Sequence, residues 1–228
     1  MREIVLDTET TGLDPLTGHR VVEIGCIELF NHIPTGNEFH RYLNPERDMP
    51  AEAEAVHGLS IAFLSDKPLF PSIADDFLTF IGESPIIAHN ASFDMNFINA
   101  ELKRAGKMPL ANNRSIDTVT LARRKFPGAQ ASLDALCRRF QIDTSARDKH
   151  GALLDAQLLS KVYLELVGGR EPGLALATLE NASVQQVAAE RVVRGARPHA
   201  PTDEERAAHE LFLTTLKNPI WVRVDPAA

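Results

Sequence analysis

Asp7 and Glu9 stand one residue apart at the end of the apolar run Ile4–Leu6. In an extended strand alternate side chains share a face, so these carboxylates point one way and Thr8 the other. Beside a core they repel each other and resist desolvation. A divalent cation between them would reverse the sign of that interaction. The alternative is a strand that has already reached solvent, with two hydrated acids. The spacing alone decides nothing, because Glu52 and Glu54 repeat it in a stretch that reads as a solvated turn or helix face.

Further oxygen ligands stand at element ends. "AHNASFD" places Asp94 in the first turn of a helix, and "HGALLD" places Asp155 one turn into another, with His150 on the loop before it. Gly151 lets the backbone turn sharply between them. Each has an ordinary explanation, as a partner of the helix dipole or a surface histidine. Together they are four carboxylates and one imidazole. Two carboxylate-held divalent ions could activate water, neutralise a phosphodiester and stabilise the leaving oxygen. Oxygen ligands without cysteine favour Mg2+ or Mn2+ over zinc. A neutral imidazole suits removal of the proton from the attacking water. In that scheme Asp7 bridges both ions, Glu9 and Asp155 hold the catalytic one, and Asp94 acts through water.

The elements that must position these groups read as follows. Strands are expected at Glu3–Thr8, Arg20–Phe30 and Glu38–Asn44, joined by turn-rich segments holding Gly18, Pro34 and Gly36, hence an antiparallel meander. After Pro71 come helical "SIADDFLTFIG", strand "PIIAH", helical "SFDMNFINAELKRAG", a short strand "RSID", helical "TVTLARRKF" and "SLDALCRRF", and a long helix from Ala152 to Val167. This is an α/β pattern with a mixed five-stranded sheet flanked by helices. Residues 1–169 form the expected catalytic domain. Residues 170–201, poor in large side chains, form an expected linker. Residues 202–228 form an expected C-terminal extension, where Thr202 and Glu205 offer a capping box, Pro219 a stop, and Trp221, the only tryptophan, a docking anchor; the alternative is a segment that folds back on the core.

At 228 residues and 44% hydrophobic, the chain can bury one substantial core. It shows no membrane-length apolar run and no signal-peptide layout. Cys26 and Cys137 lie far apart without metal-ligand spacing, so a reducing cytoplasm is the expected setting. With 24 basic against 31 acidic residues, broad coating of duplex nucleic acid is disfavoured, but an enzyme gripping a strand end through metal ions is not.

"DTETTG", "HNASFD" and "HGALLDA" resemble the three motifs of the DnaQ-like exonucleases that use four acidic residues and a histidine. "VVEIGCIEL", "VHGL", "KFPGAQASLDALCRRFQID" and "TDEERAAHE" extend the likeness over nearly the whole chain, to the epsilon proofreading branch of bacterial DNA polymerase III. The resemblance implies a ribonuclease H-like fold and 3′→5′ hydrolysis of single-stranded DNA ends to nucleoside monophosphates. By it, Asp7, Glu9, Asp94 and Asp155 are the metal-binding acids and His150 is the general base. Gly12, Leu13, His57 and Phe93 shape the pocket for the terminal nucleotides. Backbone amides around Thr10 to Gly12 could hold the terminal sugar, and Leu13 and Phe93 could wedge or stack bases. His57 could equally stabilise a turn. His89, Asn90 and Asp117 either orient the site or make ordinary fold-stabilising bonds. The resemblance also implies that the C-terminal segment around 202–221 tethers the chain to the polymerase alpha subunit. Such proteins carry a clamp-binding peptide after the catalytic domain. Here that place holds "REPGLAL", with Glu171, Leu174 and Leu176 but no glutamine or aromatic. The expected place of work is the cytoplasm, at the nucleoid. Two rivals stand beside this reading. A free-standing RNA trimmer would use identical chemistry but would not need the tail, and a non-catalytic polymerase scaffold would be expected to lack at least one of the five site residues.

Overall fold

Ile4 and Leu6 turn to one face of a sheet and Val5 to the other, and each face finds its own apolar layer. The computed structural model describes residues 1–145, 149–168, 200–217 and 219. The first layer joins Ile4 and Leu6 to Phe77, Phe97 and Ile98, and the second joins Val5 to Cys137, Leu159 and Val162. Their strand, β1 (Arg2–Thr10), pairs antiparallel with β2 (Val21–Phe30), which pairs antiparallel with β3 (Ile33–Tyr42). Asn31 and His32 link β2 to β3, both at positive φ (50° and 68°). Two such residues are what a tight hairpin between right-twisted strands requires.

β3 corrects one expectation. The segment with Pro34 and Gly36 is not a connection: the strand starts at Ile33, not Glu38. β3 is the outer strand of the order β3-β2-β1-β4-β5. At an edge, a proline's missing N–H costs no ladder bond.

Beyond the meander lie the helices α1 (Ala51–His57), α2 (Ile61–Leu64) and α3 (Phe70–Ile81). Two strand–helix units follow: β4 (Ile86–Ala88) with α4 (Ala91–Arg104), and β5 (Ser115–Asp117) with α5 (Thr118–Lys125). Then come α6 (Leu133–Arg139) and α7 (Ala152–Val167). β4 runs parallel to β1, and β5 parallel to β4, so the sheet is mixed and five-stranded, as the pattern of elements implied.

Two long-range contacts fix the geometry near the end of β1. Gly25, opposite Asp7 in the β1–β2 register, lies so close to α7 that a Cβ would stand 2.3 Å from the Ala152 carbonyl carbon and from Leu153 N. Only glycine lets the start of α7 settle on the sheet there. On the opposite side, Glu101 of α4, 1% exposed, accepts from Arg20 Nε and Nη2 at 2.7 and 2.9 Å. Arg104 also donates to Glu101, and to the carbonyl of Pro15, so α4 straps down the loop between β1 and β2. Bidentate guanidinium–carboxylate pairs are the strong, geometrically specific kind.

The chain groups into two units, Met1–Ala175 and Leu176–Ala228. In the second, α8 (Asp203–Thr215) starts with the expected reciprocal capping box of Thr202 and Glu205. Leu211 and Phe212 on α8 are exposed. The expected linker lies outside the described residues apart from 200 and 201, and so do Trp221 and the 170–176 segment. Among the described residues no helix is long and apolar enough to cross a membrane.

Candidate active site

β1 outruns β4. The parallel ladder pairs only Ile4 with Ile86 and Val5 with Ile87, so the β4-facing edge of β1 is open beyond Leu6. The first turn of α4 fills that opening. Thr8 Oγ1 donates to Asp94 Oδ1 at 2.8 Å in a buried bond, and the Thr8 backbone also favours the ionised Asp94 carboxylate. Asp94 thus reaches the end of β1 from the α4 side, 2% exposed.

The other face belongs to α7. Asp155, 3% exposed, stands one turn into that helix, above Gly25 and the Asp7–Glu9 side of β1. His150 precedes the helix, half exposed, with Nδ1 3.2 Å from Asp155 Oδ2. Its backbone N–H donates to Val56 O, hooking this loop to α1. Glu9, His150 and Asp155 each offer a ligand atom, all within 4.8 Å of one another. Asp7 completes the set. Burial pushes its carboxyl well above the ordinary value, and the charges of Asp94, Asp155, Glu9 and Glu23 add to that push. Burial likewise raises Asp94 to about 7, against the lowering effect of its Thr8 bonds. Buried carboxylates that raise one another in this way would be stabilised in their ionised form by a cation between them. The donors are hard oxygens plus one imidazole with no thiolate, which fits a divalent metal ion.

Beside the cluster opens a cleft of about 540 Å³, walled by Thr8 to Asp14 on one side and by Pro50, Ala53, Val56 and His57 of the α1 region on the other. Phe93 and Leu13, the latter 85% exposed, also line it. Thr10 Oγ1 donates to Gly12 O at 2.6 Å, tightening the turn. Of the amides expected to face a sugar, Thr11 N–H is already spent on Arg20 O, so it is not available to a ligand. At Gly12 a Cβ would fall 2.3 Å from the His19 ring, so a side chain there would push His19 aside. His57 Nδ1 accepts from Leu59 N at 3.0 Å, the bond of a turn-stabilising side chain, and the ring lines the cleft, 5% exposed. Burial holds its pKa below the usual value.

Asn90 lies outside the walls of this cleft. It stands at the start of α4 with φ 66°, and its N–H donates to Asp117 Oδ1 at 2.9 Å. Asp117 Oδ1 also accepts from Ala91 N and Val119 N, so one carboxylate joins the starts of α4 and α5. Burial works against the charge of Asp117, but bonds from Thr120, Val119, Ala91 and Asn90 outweigh it and keep its pKa low. His89 Nδ1 lies 2.9 Å from Thr118 Oγ1. Asn90, His89 and Asp117 therefore brace the turn that aims Asp94. From the sequence alone, Thr8, Gly25 and Glu23 carry no role. The only local signal was the threonine between the two acids.

The exonuclease family model matches residues 4–163. The DNA polymerase III subunit epsilon of Rickettsia prowazekii is 51% identical over 220 residues, covering 93% of this chain and 96% of the relative. That of Escherichia coli K12 is 46% identical over 226 residues, covering 93% and 92%. Among solved structures, exonuclease X in complex with 5′ overhanging duplex DNA superposes with a TM-score of 0.57 at 27% identity, covering 72% of this chain and 90% of that one. The nuclease domain of 3′hExo, a DEDDh family member bound to rAMP, gives 0.63 at 16% identity over 73% and 91%, a likeness of fold alone. Four acids and a histidine gathered at one end of β1, a family model spanning most of the chain and relatives near half-identical end to end lead to one assignment: the chain belongs to the exonuclease family and, within it, to the epsilon subunits of bacterial DNA polymerase III.

Proposed function

We propose that Asp7, Glu9, Asp94 and Asp155 hold two divalent cations, Mg2+ or Mn2+, and that His150 takes the proton from the attacking water. The chain is a 3′→5′ exonuclease that proofreads DNA synthesis as part of a replicative polymerase. The observation that carries the division of labour is the convergence of four carboxylates from β1, α4 and α7 on one point beside the cleft, with Asp7 and Asp94 both pushed up. When bound, the cations supply neutralisation of the phosphodiester and activation of water. The chain's own residues do the rest. Asp155 orients His150 through its Nδ1 contact, and His150, half exposed, can pass the proton on to solvent. The cleft seats the last nucleotides of a frayed strand: Leu13 and Phe93 offer apolar surfaces to bases, His57 a wall, and the Thr10–Gly12 turn a floor. None of these groups is placed to read base identity, which suits an enzyme that must accept any mispaired end.

The tail is assigned to the polymerase. α8 is well capped and has no buried residue, and its Leu211 and Phe212 are apolar surfaces in want of a cover. Residues 202–221 would dock the alpha subunit, with 170–201 as the tether from the 1–169 exonuclease domain. Residues 170–176 are the candidate clamp contact. Such an assembly works in the bacterial cytoplasm, at the nucleoid.

The test is release of the terminal nucleotide from a 3′-labelled mispaired DNA primer, with divalent metal and with chelator, and with Asp7→Ala as contamination control. Metal-dependent release, lost in the variant and faster than on a matched RNA oligomer, is the expected result. Faster RNA trimming would transfer the site to the RNA reading, and no release from either would restore the scaffold.

A further inference from the structure

Glu23 has no part in the chemistry above, yet it sits where a carboxylate is costly. It is the direct cross-strand partner of Glu9 in the β1–β2 register and is 3% exposed. Cβ atoms of such partners are about 4.5–5.5 Å apart, and like charges facing each other there are destabilising. The strand period puts Glu23 on the same sheet face as Asp7 and Glu9, the face on which α7 seats Asp155. The field of Glu23 reaches Asp7, where it joins burial and the charges of Asp94, Asp155 and Glu9 in raising that carboxyl. Stability alone gives no reason to drive another acid into this cluster.

The carboxylate is held from the next strand. His40 Nε2 on β3 lies 2.7 Å from Glu23 Oε1. His40 stands edge-on to Tyr42 at 4.8 Å between centroids, and Tyr42 edge-on to Phe63 at 5.1 Å. The imidazole is therefore fixed by an aromatic row that runs back from the sheet to α2. Polar groups thus follow one another across the strands, Asp7 and Glu9 on β1, Glu23 on β2 and His40 on β3, with Asp155 of α7 and His150 of the loop before it on the β1 side.

We propose that Glu23 and His40 are a positioning pair for the cation site, with Glu23 adding a fifth negative charge one strand out from Asp7 and Glu9 and His40 locking its carboxylate in place. The proposal rests on the reading that the four acids hold cations. A pair that served the fold alone would change stability when altered and leave cation affinity untouched. A positioning pair changes affinity, and its two members act through each other.

The experiment is Mn2+ titration by calorimetry of the full chain and of Asp7→Asn, Glu23→Gln, His40→Ala, His40→Gln and the Glu23→Gln/His40→Ala double variant, with unfolding midpoints in chelator for each. Glu23→Gln and His40→Ala should each weaken Mn2+ binding by about tenfold, the usual loss when a group supporting a metal ligand is removed. The double variant should be no weaker than the worse single one, since both remove the same effect. His40→Gln, which keeps an N–H donor at similar reach, should recover most of the affinity. Glu23→Gln also removes like-charge repulsion, so its midpoint in chelator should not fall. Should it fail to fold, the His40→Ala and His40→Gln pair decides the question. Wild-type affinity in Glu23→Gln and in His40→Ala, with binding lost in Asp7→Asn, would overturn the proposal and leave the cation site standing. Unchanged binding in Asp7→Asn, or none in the wild type, would overturn the cation reading and this proposal with it.

Discussion

Thr8 and Asp94, 86 residues apart, meet through a buried 2.8 Å hydrogen bond, and that bond joins the two halves of the acidic cluster. Asp7 and Glu9 come with β1, but Asp94 arrives on a different helix, and Thr8 fixes where it stops. Thr8→Val keeps the shape and removes the hydroxyl. Losing a donor to a buried carboxylate should cost about 1–3 kcal/mol of stability. Hydrolysis should fall by roughly 10–100-fold, the range for groups that orient metal ligands. Unfolding midpoints and single-turnover rates on a mispaired primer check both. An unchanged rate with lowered stability would show that the bond serves packing alone.

The acidic cluster predicts an unusual pH profile for the metal-free protein. The folded-state value of Asp94, about 7, lies above its ordinary 3.8, and Asp7 is raised too. Between those values the folded form keeps protons that the unfolded chain has lost. The stability these groups contribute is complete below the ordinary carboxylate range and is lost as pH rises through the folded-state value. In chelator, the thermal midpoint should therefore fall between about pH 4 and about pH 7. Asp94→Asn and Asp7→Ala should flatten the fall, and added divalent metal should reverse it in the wild type alone. A midpoint that rises over this range in chelator would contradict the raised values.

His150 lies beside Asp155 but is half exposed, so its loss should spare the fold. His150→Ala should lower turnover by about 10²–10⁴-fold, the usual share of a general base. Its unfolding midpoint should stay near the wild type. Near-wild-type turnover at neutral pH would remove His150 from proton transfer.

Gly25 is the seat of α7. Gly25→Ala places a methyl 2.3 Å from helix backbone, which cannot rotate out of the way. The helix start must lift, at a cost of about 1–3 kcal/mol for overpacking. Asp155 and His150 move with it, so turnover should fall far more than stability does. Melting curves and primer degradation measured on one preparation separate the two. A variant that is destabilised yet fully active would show that the site tolerates movement of α7.

Much of the site could be read from short stretches because its residues sit at element ends, where local signals are strong. The Asp7–Glu9 spacing, the first-turn positions of Asp94 and Asp155, and the capping box at Thr202 are matters of a few consecutive residues. Long apolar runs likewise announced β1, β2 and α7. What failed locally failed for a tertiary reason. Pro34 and Gly36 argue for a turn unless the strand is known to be an edge, and edge position is a property of the sheet. The choice between a site-orienting and a fold-stabilising Asn90 was likewise not local, because Asp117, which accepts its N–H, is brought alongside by β5.

The amino-acid sequence by itself determined the chemistry available to this protein: four carboxylates and an imidazole, on strand and helix ends, within a mixed α/β order. Only the tertiary structure decided that they meet. Their convergence depends on β1 outrunning β4 so that α4 can present Asp94, on Gly25 letting α7 lie against the sheet, and on the Arg20–Glu101 pair strapping down the loop that forms the cleft. The same holds for Glu23 and His40, neighbours only once three strands are in register. Local preference sets what each segment is. Burial of two apolar layers, one on each face of the sheet, sets which segments become neighbours.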